Sequence, residues 1–247
     1  MCKKTWIFVG IFISVTSFFV YGDEETSFTR QQYLLIDKDN ISSLDTNLPF
    51  VEIIGWSKNG LVAYRYITKG DETGLTKYHF VILNTVNDKY IERDSMNLFE
   101  PEDYYDEKDE REKKKTYDEY KTKWNALLEK HSIIGKINDP LEEIKQNNAI
   151  KFPLGDFNCW FDYTMKPDET WYKTFEWKLI IGNNRIQKVI NTATEKLQAD
   201  TLGRKIIGYY KSPYENRIVI VVNNYGLYYR DTYLVNLYGC NMDVGLH

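Results

Sequence analysis

Apolar residues along the chain fall into short runs separated by turn residues. Three such runs lie between Val51 and Leu83. Val51, Ile53 and Ile54 lead into Gly55-Trp56-Ser57-Lys58-Asn59-Gly60. Asn-Gly favours a tight hairpin, because both residues tolerate positive φ. Leu61, Val62, Ala63, Tyr64 and Tyr66 form the return strand, Gly70 to Gly74 turns again, and Tyr78 to Leu83 supplies a third strand. Their aromatic and β-branched side chains suit a pleated surface. The pattern returns in Phe157 to Tyr163, Thr174 to Ile181 and Arg185 to Ile190. It continues in Lys205 to Tyr210, Arg217 to Val222 and Tyr228 to Tyr238. About eight to ten strands are predicted. Thr192 to Leu202 fits either a short helix or a loop.

Between the two β regions the period changes. Asp106 to Lys115 is wholly charged, with mixed signs. Beyond it Tyr117, Tyr120, Trp124, Leu127 and Leu128 recur at helical spacing. That stripe predicts an amphipathic helix whose second half docks on the sheet. A short second helix is expected from Asp139 to about Asn148, with Asp139 as N-cap, Pro140 at the first position and Glu142 closing a capping box. The expected class is therefore α+β: a largely antiparallel β-sheet with one long charged amphipathic helix and one short helix. A single domain is expected over 23–247, with the helical insertion at about 101–148.

The N-terminus reads as a secretory signal peptide over residues 1–22. Lys3 and Lys4 precede an apolar run from Thr5 to Val20, and Val20-Tyr21-Gly22 supplies a cleavage site before Asp23. The run is about 16 residues, short of the ~20 that span a bilayer. Cys2 precedes that run, where a lipoprotein cysteine would follow it. The expected product is exported, periplasmic or extracellular, with no integral membrane segment after cleavage. Asn40-Ile41-Ser42 matches a glycosylation sequon.

A six-residue repeat is present. Ile53-Ile54-Gly55-Trp56-Ser57-Lys58 matches Ile206-Ile207-Gly208-Tyr209-Tyr210-Lys211, each followed by a turn and an apolar strand. The first copy, Trp56-Ser57-Lys58-Asn59-Gly60 followed by Ala63-Tyr64, resembles the W-S-x-D-G-x-x-(I/L)-A-(F/Y) blade motif of TolB-type propeller repeats. Asn59 stands where that motif has Asp. A propeller needs at least four blades; one good copy and one poor one imply a hairpin geometry, and no functional residue follows. In overall make-up the chain resembles bacterial exported proteins.

Composition narrows the function classes. The chain has 247 residues, 43% hydrophobic and 28% charged, which excludes disordered, collagen-like and polytopic membrane chains. With 32 Lys+Arg against 36 Asp+Glu, the net charge is −4 and no nucleic-acid partner is expected. Loss of residues 1–22 removes two lysines and no acid, making the balance more acidic. His79, His131 and His247 are scattered, so no metal site is expected, and no cofactor motif is found. Ser57 lacks the spacing of a nucleophile elbow, and Asp37-Lys38-Asp39-Asn40 lacks the glycine and closing Glu of a calcium loop. Cys159 and Cys240 form either one disulfide or two buried thiols. The disulfide would close a loop of about 80 residues, worth roughly 4 kcal/mol.

Twenty Tyr and six Trp remain to be placed. Such side chains suit recognition surfaces, and they suit antiparallel strands equally. The leading expectation is an exported, non-enzymatic module that binds a protein, peptide or glycan through an aromatic-rich β face. Trp56, Tyr64, Tyr214 and Arg217 are its candidate ligand-binding residues, with the loop Ser212 to Arg217 as its exposed element. One alternative is an envelope structural protein docking through the charged helix, Asp106 to His131. Another is a carboxylate-dependent hydrolase using Asp162 or Glu176, each flanked by aromatics.

Overall fold

The run Ile218-Val219-Ile220-Val221-Val222 has no polar position. A strand of that kind has to be covered on both faces, and the fold is arranged around it. The computed structural model describes residues 33–35, 51–69, 75–99, 107–137, 149–167, 172–198, 201–226 and 234–245. In chain order these form β1 (Tyr33–Leu35), β2 (Val51–Trp56), β3 (Leu61–Lys69), β4 (Leu75–Asn84) and β5 (Lys89–Phe99). Helix α1 (Glu107–Lys130) and β6 (Ile134–Gly135) follow. The remainder comprises β7 (Asn158–Pro167), β8 (Tyr172–Gly182), β9 (Gln187–Gln198), β10 (Thr201–Lys211), β11 (Arg217–Gly226) and β12 (Leu234–Asn241).

The strands make three sheets, all with antiparallel pairings: β5-β4-β3-β2-β6, β1-β10-β11-β12 and β7-β8-β9. Stacking follows from side-chain alternation. Ile218, Ile220 and Val222 of β11 pack with Phe175, Trp177 and Leu179 of the three-stranded sheet. Val219 and Val221 pack the other way, against Val62, Tyr64 and Val81 of the five-stranded sheet. On β4 the same logic repeats: Val81 and Leu83 face the central sheet, while Phe80 and Ile82 face α1. The layers are thus α1, five strands, four strands and three strands. Strand β8 is covered on one face over its middle, so Glu176 and Lys178 alternate out to solvent between Phe175, Trp177 and Leu179.

Helix α1 follows the predicted stripe, with Tyr117, Trp124 and Leu128 buried. The Trp124 ring stacks on Phe80 at 5.2 Å, and its indole N–H donates to Asp94 Oδ2 at 2.6 Å. Lys123 pairs with Asp94 at 2.9 Å and Lys130 with Glu92 at 2.8 Å. Such exposed pairs are each worth at most about 1 kcal/mol. Burial of Trp124 holds the helix; truncating a core Trp costs about 3–5 kcal/mol.

The α+β expectation with two helices is corrected. The described residues are mainly antiparallel β-sheet with a single long helix, laid on one face of a sheet stack. They contain no second short helix, and the span in which it was expected, 139–148, lies outside them. Of residues 192–202, read as helix or loop, 192–198 instead end β9 and 201–202 begin β10. Strand β5 was not expected, because Glu92 and Asp94 interrupt its apolar pattern; those acids face the lysines of α1. The span expected to be a signal peptide and the sequon also lie outside the described residues. No helix among the described residues is long and apolar enough to cross a membrane.

The sequence repeat has a structural counterpart. Both copies carry a bulge at the same place, between Ile53 and Gly55 and between Ile206 and Gly208. In both, a short segment pairs on the outer edge there: β6 on Gly55, and Ile150 on Tyr209. A Cβ on Gly55 would overlap the Ile134 carbonyl, and one on Gly208 the Ile150 carbonyl. Glycine is required at both by this close backbone approach.

The central and five-stranded sheets are tied at one end by polar contacts. Arg217 Nη1 donates to the Thr85 carbonyl at 3.0 Å, and the Gly239 N–H donates to Asp88 Oδ1 at 2.7 Å. Burial pushes the Asp88 carboxyl up to about 6, against the opposing pull of the Gly239 N–H and Arg217. A raised folded-state value means the folded protein favours protonated Asp88. Its ionisation therefore costs stability as pH rises from about 4 to 6, and that cost is complete above 6. Asp88→Asn keeps the acceptor and suits the positive φ of 54°. The substitution should stabilise the protein at pH 7.5 by about 1–2 kcal/mol after allowance for solvent screening. The gain should shrink at pH 4.5; thermal melts at the two pH values test this, and a pH-independent effect would contradict it.

Candidate functional site

Among the described residues, many of the aromatic side chains that suggested an open recognition face are instead in the cores. Trp56 is 5% exposed between the five-stranded and central sheets, and Phe80, Trp124, Phe161, Phe175 and Trp177 are all buried. Aromatic groups come to an open concavity where β3, β4 and β5 face the edge strand β12. There a cleft of about 490 Å³ is lined by Tyr64, Tyr66, His79, Tyr90 and Arg93, with Val235 and Asn236 opposite.

Register explains the grouping. Tyr64, Val81 and Arg93 are successive partners across β3, β4 and β5, and Tyr66, His79 and Ser95 form the next row. Directly opposed residues of antiparallel strands share a face, so both rows point toward the central sheet. The Tyr66 and His79 rings stack at 4.4 Å with 8° between planes, and Tyr64 lies 6.1 Å from Tyr66. The Arg93 guanidinium sits 3.4 Å above the Tyr90 ring centre, a cation–π geometry. The Tyr90 hydroxyl reaches Asn236 Oδ1 at 3.5 Å and bridges the two sheets.

Among the described residues that line the cleft, Arg93 carries the positive charge, and Lys77 is close enough to act on His79. His79 Nε2 lies 2.9 Å from Thr68 Oγ1. Burial, helped by the nearby Lys77 and Arg93 charges, pulls the His79 ring down to about 4, so it is neutral at pH 7. Burial pushes the Tyr64 phenol up, as it does Tyr66. For Asp94, burial pushes the carboxyl up, but hydrogen bonds from Lys123 and Trp124 outweigh it and hold the group below its usual value. That carboxylate is engaged by the helix. Arg93, in contrast, is exposed and has no carboxylate within ion-pair distance among the described residues. The cleft thus offers ring faces, hydroxyls and a guanidinium.

Of the four sequence candidates, Tyr64 alone reaches this cleft, 1% exposed in its floor. Trp56 is core. Tyr214 is 38% exposed in the β10–β11 turn. Arg217 is 8% exposed, engaged by Glu215 at 2.8 Å and by the Thr85 carbonyl. Tyr66, His79, Tyr90, Arg93 and Asn236 were missed. The Tyr64-x-Tyr66 alternation pointed toward them, but Tyr90 and Arg93 sit on the unexpected β5.

The chemical candidates fall elsewhere. Asp162 faces Lys178 across β7 and β8, and Glu176 lies between Thr164 and Thr194. They line a shallow depression of about 560 Å³ on the outer face of the three-stranded sheet. This is an open strand face with an opposite charge beside the acid, not a buried acid pair. Cys159 and Cys240 are free thiols, buried in the core between the central and three-stranded sheets. Burial pushes both up, Cys240 to about 11 and Cys159 further helped by Cys240, so neither is a thiolate at neutral pH. His131 contacts Glu92 at 3.1 Å, and His247 lies outside the described residues. Among the described residues no group of three or more His, Cys, Asp or Glu is placed to hold a metal ion.

Compared with protein-family models, with curated proteins and with solved structures, the chain matches none.

The His79 environment has a direct test. Its ring should titrate near pH 4, followed by NMR of the ring protons, rather than at the ordinary ~6.5. A depressed folded-state value means stability is present above about 6.5 and lost as pH falls toward 4. His79→Phe should remove that part of the acid slope. A midpoint near 6.5 would contradict the burial.

Proposed function

We propose that the protein is an exported, non-enzymatic binding module, and that its ligand is a small peptide or glycan bearing an acidic group. The observation that carries this reading is Arg93, a guanidinium laid over Tyr90 with no carboxylate of its own among the described residues, beside a cleft floored by stacked rings. A volume of about 490 Å³ falls within the usual range for ligand clefts. Ring faces supply area at low entropic cost, and a guanidinium donates two parallel hydrogen bonds to a carboxylate or sulfate. The chain is acidic overall, with 36 acids against 32 bases. Attraction of an anion is therefore local to Arg93 and not a property of the whole surface. Hydrolysis by Asp162 and Glu176 is the weaker reading, because those acids lie on an open sheet face.

The test is a calorimetric titration of acetyl-diglycine and glucuronate, each against its uncharged counterpart, acetyl-diglycine amide and glucose. At least one acid should bind roughly tenfold more tightly than its neutral partner, and Arg93→Ala should abolish that difference. An acid that binds Arg93→Ala as it binds the wild type would remove the cleft from consideration.

A further inference from the structure

The strand that carries Arg93 is also the edge of its sheet. Among the described strands, β5 pairs with β4 alone. Its hydrogen-bond phase follows from the far end of the sheet. The Thr85 N–H donates to the Gly60 carbonyl at 2.9 Å, and these two continue the β3–β4 register that sets Leu61 opposite Asn84. Bonded and non-bonded pairs alternate along an antiparallel ladder. Val62–Leu83, Tyr64–Val81 and Tyr66–His79 are therefore the bonded pairs of β3 and β4. The main chains of Ile82, Phe80 and Tyr78 turn to β5 instead, where they meet Glu92, Asp94 and Met96. Arg93, Ser95 and Asn97 are left with N–H and C=O groups directed off the sheet. Of these groups, the Ser95 N–H has a polar neighbour, the Asp94 carboxylate.

The side chains of these three residues share one face. Arg93 and Ser95 line the cleft, and Asn97 follows with period two. Arg93 and Asn97 are exposed. The acids between point the other way, Glu92 to Lys130 and Asp94 to Lys123 and Trp124. Open strand edges template pairing with another chain, and most are blocked. The facing edge, β12, is closed: Val235 and Leu237 are 3% and 2% exposed, and the Gly239 N–H is taken by Asp88. On β5 the one bulge lies between Tyr90 and Glu92, and the ladder from Glu92 to Phe99 is unbroken.

We propose that the cleft's ligand is an extended peptide segment that adds to β5 as a further antiparallel strand, with an acidic side chain opposite Arg93. The inference rests on the reading of the cleft as the ligand site and names its ligand. In strand addition, main-chain hydrogen bonds give affinity and alternate side chains give specificity. A residue directly opposed to Arg93 puts its side chain on the cleft face, with Cβ atoms about 5 Å apart. A glutamate there meets the guanidinium. A sugar acid can also meet Arg93, but it has no alternating donors and acceptors to offer the edge.

The probe is acetyl-TVTVE-amide, which in antiparallel register sets its threonines opposite Asn97 and Ser95 and its glutamate opposite Arg93. The full chain should bind it roughly tenfold more tightly than acetyl-TVTVQ-amide, and Arg93→Ala should remove the difference. N-methylation of the glutamate, whose N–H faces the Arg93 carbonyl, should weaken binding roughly tenfold. N-methylation of the preceding valine, whose N–H faces away, should not. In amide exchange, the peptide should slow Arg93, Ser95 and Asn97 and leave Glu92, Asp94 and Met96 unchanged, a readout that needs no variant. Equal weakening by the two methylations, or unslowed exchange at Arg93, Ser95 and Asn97, would overturn strand addition. Slowing that follows protein concentration and not peptide would assign the edge to a second copy and overturn it as well. If glucuronate or acetyl-diglycine still binds through Arg93 in either case, the cleft stands as a ligand site without an added strand. If no acid and no peptide binds, the cleft reading falls and this inference falls with it.

Discussion

A strand without a polar position must be covered twice, and β11 imposes that requirement on the whole molecule. One antiparallel sheet packed on one side would leave Ile218, Ile220 and Val222, or else Val219 and Val221, in water. At about 25 cal/mol per Å² of apolar surface, exposing either set would cost several kcal/mol. The chain answers with a sheet on each side. The five-stranded sheet is then itself two-sided at β4, so α1 is needed as a fourth layer, with Trp124 against Phe80. The long charged insertion is thus the cover of a sheet that would otherwise expose Phe80 and Ile82.

The same stacking creates the cleft. Sheets meeting face to face fill their shared interior with alternating side chains. At the β12 edge this filling gives way to Tyr66, His79 and Tyr90, whose rings keep a polar tip. Tyr64 belongs to both regions, packed in the interior and lining the cleft floor. The cleft is therefore the margin of the core, where rigid strands position the rings and Arg93 without a loop. Further along the same β12 edge, Asp88 accepts from the Gly239 N–H, and Arg217 donates to the Thr85 carbonyl.

Legibility in the sequence followed physical signal strength. The Asn59-Gly60 hairpin, the α1 stripe and the continuous run in β11 were readable because each has a local cause: turn chemistry, helical period or two-sided burial. The bulges beside Gly55 and Gly208 gave a trace, since a repeated Ile-Ile-Gly-aromatic motif marks the same backbone defect twice. Strand β5 was hidden because Glu92 and Asp94 answer lysines of a distant helix, and no local pattern reports that. The site was harder still. Tyr64 and His79 look like ordinary strand residues, and only register sets them beside Arg93. Arg217 looked like a recognition residue in an exposed loop; the Thr85 carbonyl, far away in sequence, makes it a tie between sheets.

Amide hydrogen exchange along the chain tests the central requirement most directly. If β11 is the doubly covered strand on which the layers depend, the amides of Ile218 to Val222 should be among the slowest in the protein. They should exchange only through global unfolding, while β9 and the first turns of α1 open locally and faster. Exchange of Ile218 to Val222 faster than the middle of β8, which is covered on one face there, would contradict a four-layer stack built around β11.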